Sequence, residues 1–230
     1  MYRLVQKVKL LNLKRIIMEN IEVNAALNWR YATKRMNGIK VPEKEISEIL
    51  ESVRLAPSSR GLQPFKVLVV RNQELKDKIR KVADNQAQVS ECSHLLIFCS
   101  WKKVSQEMID DFIHFSAQER GIPVEKLDKM KSMLIKDQLN MSEDEFYHWA
   151  SKQIYIALGF ALIASALKKI DAAPMEGFDP IALDNLLELH KTGLKSSVLL
   201  AIGYRDIEND WMTNLKKVRR SDAELFKFLD

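Results

Sequence analysis

The strongest constraint on the fold is one apolar stretch, Trp149 to Phe178, which reads WASKQIYIALGFALIASALKKI and runs directly into DAAPMEGF. From Ile154 to Leu167 no residue carries charge, and Ala, Leu and Ile dominate, which favours helix. Apolar residues fall on every face, so the expectation is a helix buried all round. The fourteen uncharged residues would span about 21 Å, too short for a bilayer. Two readings remain: a central core helix, or one that also packs on a symmetry mate through Gly159, Ala161, Ala164, Ser165 and Ala166. Next comes Ile170 to Met175, short and apolar enough for a buried strand. It ends in Pro174-Met175-Glu176-Gly177. Proline offers no N–H to a sheet, and glycine tolerates unusual backbone angles. Such an ending can aim the N–H groups of Glu176 and Gly177 at a ligand, or be an ordinary strand-to-helix turn. Asp179 then suits an N-cap, with Pro180 at the first helical position.

Other short apolar runs punctuate the chain. Phe65–Val70, Leu95–Trp101 and Ser197–Tyr204 have strand character, with helical patterns between them. Helices are expected over Glu22–Tyr31, after Pro42, from an Asn72 cap over Gln73–Val82, and over Val104–Arg120 up to Gly121. Others should run from Pro123 to about Leu139 and, after a capping box at Ser142–Glu145, into the long apolar helix. Ile181–His190 and Ala223–Leu229 complete the set. A sheet covered by helices on both faces follows. Neither GxGxxG nor a GK[ST] loop follows a strand, so the common nucleotide fingerprints are missing.

Charge and cysteine usage narrow the function. The net charge is +5, but +4 of it lies in residues 1–20, so the remainder carries no nucleic-acid footprint. That basic segment, 1–20, is set apart as an extension from a domain over 21–230. Its lysines interrupt any signal-peptide core. It would form a basic amphipathic helix on a partner or membrane surface, or Met18 is the natural start. The two cysteines, Cys92 and Cys99, and four scattered histidines show no metal-ligand spacing. No GxSxG motif or cysteine–histidine pair marks a nucleophile, which leaves borrowed cofactor chemistry.

Three polar constellations could bind a cofactor. In RYATK, Arg30 and Lys34 flank Thr33 and suit a phosphate, or form a solvated basic face. In PSSRGLQP, Ser58, Ser59 and Gln63 could meet the polar edge of a planar heterocycle, or make a plain loop. Lys216, Lys217 and Arg219 form a second anion-facing cluster, or a solvated tail.

Four stretches, RYATKRMNG, APSSRGLQPF, AAPMEGFDP and LKKVRR, occur in an order that resembles the FMN-dependent nitroreductase family, especially its oxygen-insensitive NAD(P)H nitroreductase and dihydropteridine reductase branch. The resemblance covers about Ile21 to Arg220. It implies an α+β fold: a three-layer sandwich with a mixed sheet covered by helices, built as an intertwined homodimer with FMN at the interface. It implies that Arg30, Lys34, Lys217 and Arg219 hold the phosphate and the pyrimidine side of the ring. Tyr31 and Ala32 would lie against the same flavin, with Ser58, Ser59 and Gly61 reaching it from the facing subunit. Gln63 joins this set from its loop. Pro174, Met175, Glu176 and Gly177 would lie along one flavin face, with the Glu176 backbone N–H at N5 and no catalytic side chain.

The implied activity is ping-pong oxidation of NAD(P)H with nitroaromatics, quinones or pterin-like acceptors. The protein would be cytoplasmic, without stable membrane insertion. Reductive dehalogenation or flavin fragmentation on the same fold, and a non-enzymatic adaptor, are the alternatives. Ala32 stands where the family often has serine and Gly61 where this branch often has asparagine. Arg60 is unusual beside it. Phe112, Phe115, Phe146 and Trp149 are expected either to line a substrate roof or to fill a core.

Overall fold

A computed structural model describes residues 22–229. The expectations placed on the basic start, residues 1–20, lie outside the described residues. A four-stranded sheet, ordered β1-β2-β4-β3, forms the middle layer. Its strands are β1 (Phe65–Val70), β2 (His94–Trp101), β3 (Asp171–Met175) and β4 (Leu194–Gly203), close to the four apolar runs. The central β2 alternates between layers: Leu95, Ile97 and Cys99 join one core, and Leu96 and Phe98 the other. The first core is closed by α3 (Gln73–Lys81), α4 (Ala87–Glu91) and α8 (Pro180–Leu186). The second is closed by α2 (Glu43–Leu55) and α7 (Glu143–Leu167), giving the expected three-layer α+β sandwich.

The sheet is antiparallel at all three pairings, not mixed as expected. The cause lies in the connections. Asp84 and Asn85, both at φ 50°, turn the chain back between α3 and α4, so it re-enters at the sheet end it left. The loop after α8 does the same through Glu188 and Gly193, both left-handed. A parallel neighbour would need a crossover to the opposite end.

Local signals act where the sequence puts them. Asn72 Oδ1 caps α3 by accepting from Leu75 N at 2.8 Å. Ser142 and Glu145 complete the capping box of α7. Asp179 Oδ1 accepts from Ile181 and Ala182 N–H at 2.9 and 3.0 Å, with Pro180 opening α8. That helix stops at Leu186, and Leu189–Thr192 is a separate 3-10 turn rather than a continuation to His190. The first helix, α1, spans residues 22–29. Helices α5 (Gln106–Arg120) and α6 (Asp128–Gln138) pack on the start of α7 around Ile109, Ile113, Leu134, Phe146 and Ala150. The last element, α9, is one turn, Asp222–Leu225, shorter than expected.

The long helix differs from its expectation in two ways. It has 25 residues, so length alone does not bar it from crossing a bilayer. Its place does the arguing: Ile154, Ala157, Leu158 and Ala161 are buried against the sheet and α2. It is also not buried all round. Ile156, Phe160, Ile163 and Leu167, spaced as one helical stripe, are 38–46% exposed within the chain.

Candidate functional site

The site begins where α1 ends. The Arg30 N–H still bonds Ala26 O at 3.0 Å, and the chain then leaves the helix in an extended path. Two buried carboxylates hold that path. Asp210 Oδ2 accepts from the Tyr31 phenol at 3.0 Å and from Lys34 N at 2.9 Å, while its Oδ1 accepts from Met212 N at 2.9 Å. Asp171, at the start of β3, accepts from Thr33 Oγ1 at 3.2 Å and from Arg205 Nη2 at 2.6 Å. The Arg205 guanidinium is therefore neutralised, and it lies over the rings of Trp29 and Tyr31 at 4.2 and 4.5 Å. These contacts bring residues 29–35 against residues 205–213. The sequence reading singled out none of Asp171, Arg205 or Asp210. Each is an unremarkable charged residue until the partner, more than thirty positions away, is known.

This framework carries a cleft of about 630 Å³, lined by Trp29, Arg30, Tyr31, Ala32, Lys216, Lys217 and Arg219, among others. Its electrostatics are unbalanced. Arg30 is partly buried, and its Nε has no hydrogen-bond partner among the described residues. Burial, and then the neighbouring Arg219, hold its pKa below the ordinary arginine value. The Lys217 ammonium is likewise lowered, by burial and then by Arg30 and Arg219. Lys217 Nζ donates to Leu27 O near the C-terminus of α1, where a helix favours a cation. Among the described residues, no carboxylate forms an ion pair with Arg30, Lys217 or Arg219. Three converging cations, one with an orphaned buried donor, form a site complementary to a multiply charged anion.

Two other groups of singled-out residues lie elsewhere in the chain. In the loop after α2, Arg60 and Gln63 hold left-handed backbone at φ 56° and 46°. Ser58 Oγ accepts from Gln63 N at 2.9 Å, Ser59 N donates to Gln153 Oε1 of α7 at 2.8 Å, and Gln63 Nε2 donates to Arg54 O at 2.8 Å. Arg60 is tied to Asp137 of α6 at 2.5 Å. Gly61 faces Phe112, whose ring would stand 3.9 Å from a Cβ there. At the end of β3, Pro174, Met175, Glu176 and Gly177 sit beside α7, and the Glu176 carboxylate accepts from the Tyr155 phenol.

Within one chain, the structure thus brings Arg30, Tyr31, Ala32, Lys217 and Arg219 into one cleft. It does not bring Ser58, Ser59, Gly61 and Gln63, or Pro174 to Gly177, into that cleft. Lys34 contributes its backbone N–H to Asp210, and its side chain does not line the cleft. Of the aromatic residues weighed as roof or core, Phe146 is fully buried and Phe115 is 60% exposed. Phe112 and Trp149 pack partly buried against the third core. The cysteines are inert core thiols, pushed up by burial to about 11 for Cys92 and about 12 for Cys99. No group of three potential metal ligands exists among the described residues.

The chain is thus a three-layer α+β sandwich carrying a cation-lined cleft between residues 28–32 and 205–219. Comparison narrows the class. The family described as "Nitroreductase family" matches residues 27–204, and the chain belongs to that family. A Staphylococcus saprophyticus protein, named provisionally as an NAD(P)H nitroreductase, is 33% identical over 217 residues, covering 89% of this chain and 95% of its own. A nitroreductase-like protein from Streptococcus mutans shares the fold with a TM-score of 0.78 at 20% identity, over 92% of this chain and all of its own. A chain from Exiguobacterium sibiricum, solved in complex with FMN, has a TM-score of 0.75 at 21% identity, over 89% of this chain and 95% of its own.

Proposed function

We propose that this protein is an FMN-dependent NAD(P)H oxidoreductase that reduces nitroaromatics, quinones or pterin-like acceptors by a ping-pong cycle. The observation that carries the proposal is the cleft in which Arg30, Lys217 and Arg219 converge with no carboxylate ion-paired to them among the described residues. A terminal phosphate satisfies what that cleft lacks: it accepts from the orphaned Arg30 Nε and relieves repulsion among the cations. When bound, FMN supplies the two-electron carrier between the nicotinamide and the acceptor.

The chain supplies positioning and electrostatics. Arg30, Lys217 and Arg219 hold the phosphate, and Tyr31 and Ala32 form the adjoining wall. Lys34, whose side chain stands outside the cleft lined by the other cations, is assigned to the added negative charge of a ring that extends beyond that cleft. The Glu176 and Gly177 N–H groups meet no backbone acceptor outside the sheet among the described residues, which leaves them as donors to the ring edge. A second protomer completes the site, in this reading, by presenting the loop of Ser58, Ser59, Gly61 and Gln63. What supports a partner there is the exposed apolar stripe Ile156, Phe160, Ile163 and Leu167 on α7. We place the working form in the cytoplasm as a homodimer, with residues 21–230 as one FMN-binding domain.

The experiment is a titration of the purified protein with FMN and with riboflavin, followed by NADH and NADPH oxidation with a quinone or nitroaromatic acceptor. Yellow protein that prefers FMN and turns over supports the proposal. A protein that stays colourless with added FMN overturns it. Tight FMN binding with no nicotinamide oxidation would instead favour dehalogenation or flavin fragmentation on this fold. Phe160→Glu tests the dimer: it should yield monomers on size exclusion and lose FMN as well.

A further inference from the structure

The end of β3 is gripped from two sides. From the α3–α4 side, Gln86 Nε2 donates to Gly177 O at 2.8 Å and Asp179 N donates to Val82 O at 2.8 Å. A Cβ on Gly177 would lie 2.8 Å from Asp84 Oδ2 and 3.0 Å from Gln86 Nε2, so any larger residue would have to push these two side chains aside. From α7, the Tyr155 phenol donates to Glu176 Oε1. Glu176 is exposed and forms no ion pair among the described residues, so this phenol is the side-chain donor that holds its carboxylate. Burial and the adjoining Glu176 charge raise the Tyr155 pKa well above the ordinary tyrosine value, so the phenol stays protonated and donating.

We propose that Tyr155 is a positioning residue of the redox site, acting through the Glu176 carboxylate. The inference rests on the flavin reading above. Two consequences follow from the geometry. Anchoring the Glu176 side chain fixes the residue whose backbone N–H is to meet the ring, so the donor is preorganised rather than recruited during the reaction. The phenol also takes up part of the carboxylate's charge. A free carboxylate beside a ring that gains negative charge on reduction opposes that reduction, and a hydrogen-bonded one opposes it less.

The test is a double-mutant cycle on the FMN-loaded protein with Tyr155→Phe, Glu176→Ala and both together. The readouts are the midpoint potential of bound FMN and the rate of its reduction by NAD(P)H in single turnover. Tyr155 is 41% exposed and phenylalanine matches its shape, so the fold and FMN retention should persist, checked by circular dichroism. Tyr155→Phe should shift the potential to more negative values and slow reduction about 3- to 10-fold, the effect of losing one hydrogen bond at a partly exposed site, where solvent screening keeps it near the ordinary net value. Glu176→Ala removes both the charge and the acceptor, so adding Tyr155→Phe to Glu176→Ala should leave the potential unchanged.

An equal shift in both backgrounds overturns the proposal, as does an unchanged potential in Tyr155→Phe. Failure of the parent protein to bind FMN would sink the proposed function and this inference with it. A parent that binds FMN while the cycle shows no coupling sinks this inference alone.

Discussion

Replacing Arg30 with glutamine separates a ligand-binding cation from a structural one, because the two roles have opposite signs in the free protein. Arg30 is partly buried, has no carboxylate ion pair among the described residues and faces Arg219 and Lys217. Removing its charge relieves repulsion in the unliganded cleft, so thermal stability should stay level or rise. With FMN the balance inverts. A hydrogen bond to a charged group contributes about 1.5–3 kcal/mol, which predicts roughly 10- to 150-fold weaker binding at about 1.4 kcal/mol per tenfold. Riboflavin lacks the phosphate, so its affinity should change less than about threefold, within the near-neutral range of surface substitutions. The assay is a paired titration of both flavins by fluorescence quenching, with melting curves of each free protein. The dependence of FMN affinity on salt should also flatten, because one screened charge is gone. Equal weakening of FMN and riboflavin would refute the argument. So would a marked fall in the melting temperature of the free variant, since either result makes Arg30 a structural group.

Three further outcomes test the framework. Asp210→Ala removes the shared acceptor of Tyr31, Lys34 and Met212; it should cost about 3 kcal/mol, since each stranded donor costs about 1–3, and denaturant melts will show the loss. Gly203→Ala places a Cβ 2.8 Å from Met36 Sδ and 3.3 Å from Ser93 N; overpacking should cost about 1–3 kcal/mol and lower the melting temperature by about 2–4 °C per kcal/mol. His94 is buried with Nδ1 on Ser93 Oγ at 2.9 Å and its Nε2 unpartnered, and desolvation lowers its pKa despite Glu43 3.6 Å away. Its unfolded form, with a pKa of about 6.5, binds the proton more readily. Stability from this residue is therefore present above the unfolded pKa and is lost as pH falls towards the lowered folded value. His94→Gln should flatten the melting profile in that window, and an unchanged slope would show that another group controls it.

Much of the architecture was legible along the chain because it depends on near neighbours. Four short apolar runs became four strands, and Asn72, Ser142 and Asp179 cap the helices they precede. These signals are local: the period of burial along a strand, or an oxygen two or three residues before a free N–H. The four ordered motifs were equally legible as a resemblance, and the family match over residues 27–204 covers the first three of them; LKKVRR lies beyond it.

Tertiary structure decided the rest. Whether the sheet was mixed or antiparallel depended on where the α3–α4 and α8–β4 connections turn back, set by left-handed residues such as Asn85 and Glu188. Burial on α7 depended on which face met the sheet. A sequence apolar on all sides cannot record that one stripe stays partly exposed among the described residues. The cation cleft required Asp171 and Asp210 to neutralise and tether their neighbours, leaving Arg30, Lys217 and Arg219 unmatched. Residue order alone determined which charges and donors this protein has. Which charges are cancelled, and which remain free to hold an anion, is a property of distance in space, because electrostatic energy follows separation and burial rather than position in the chain.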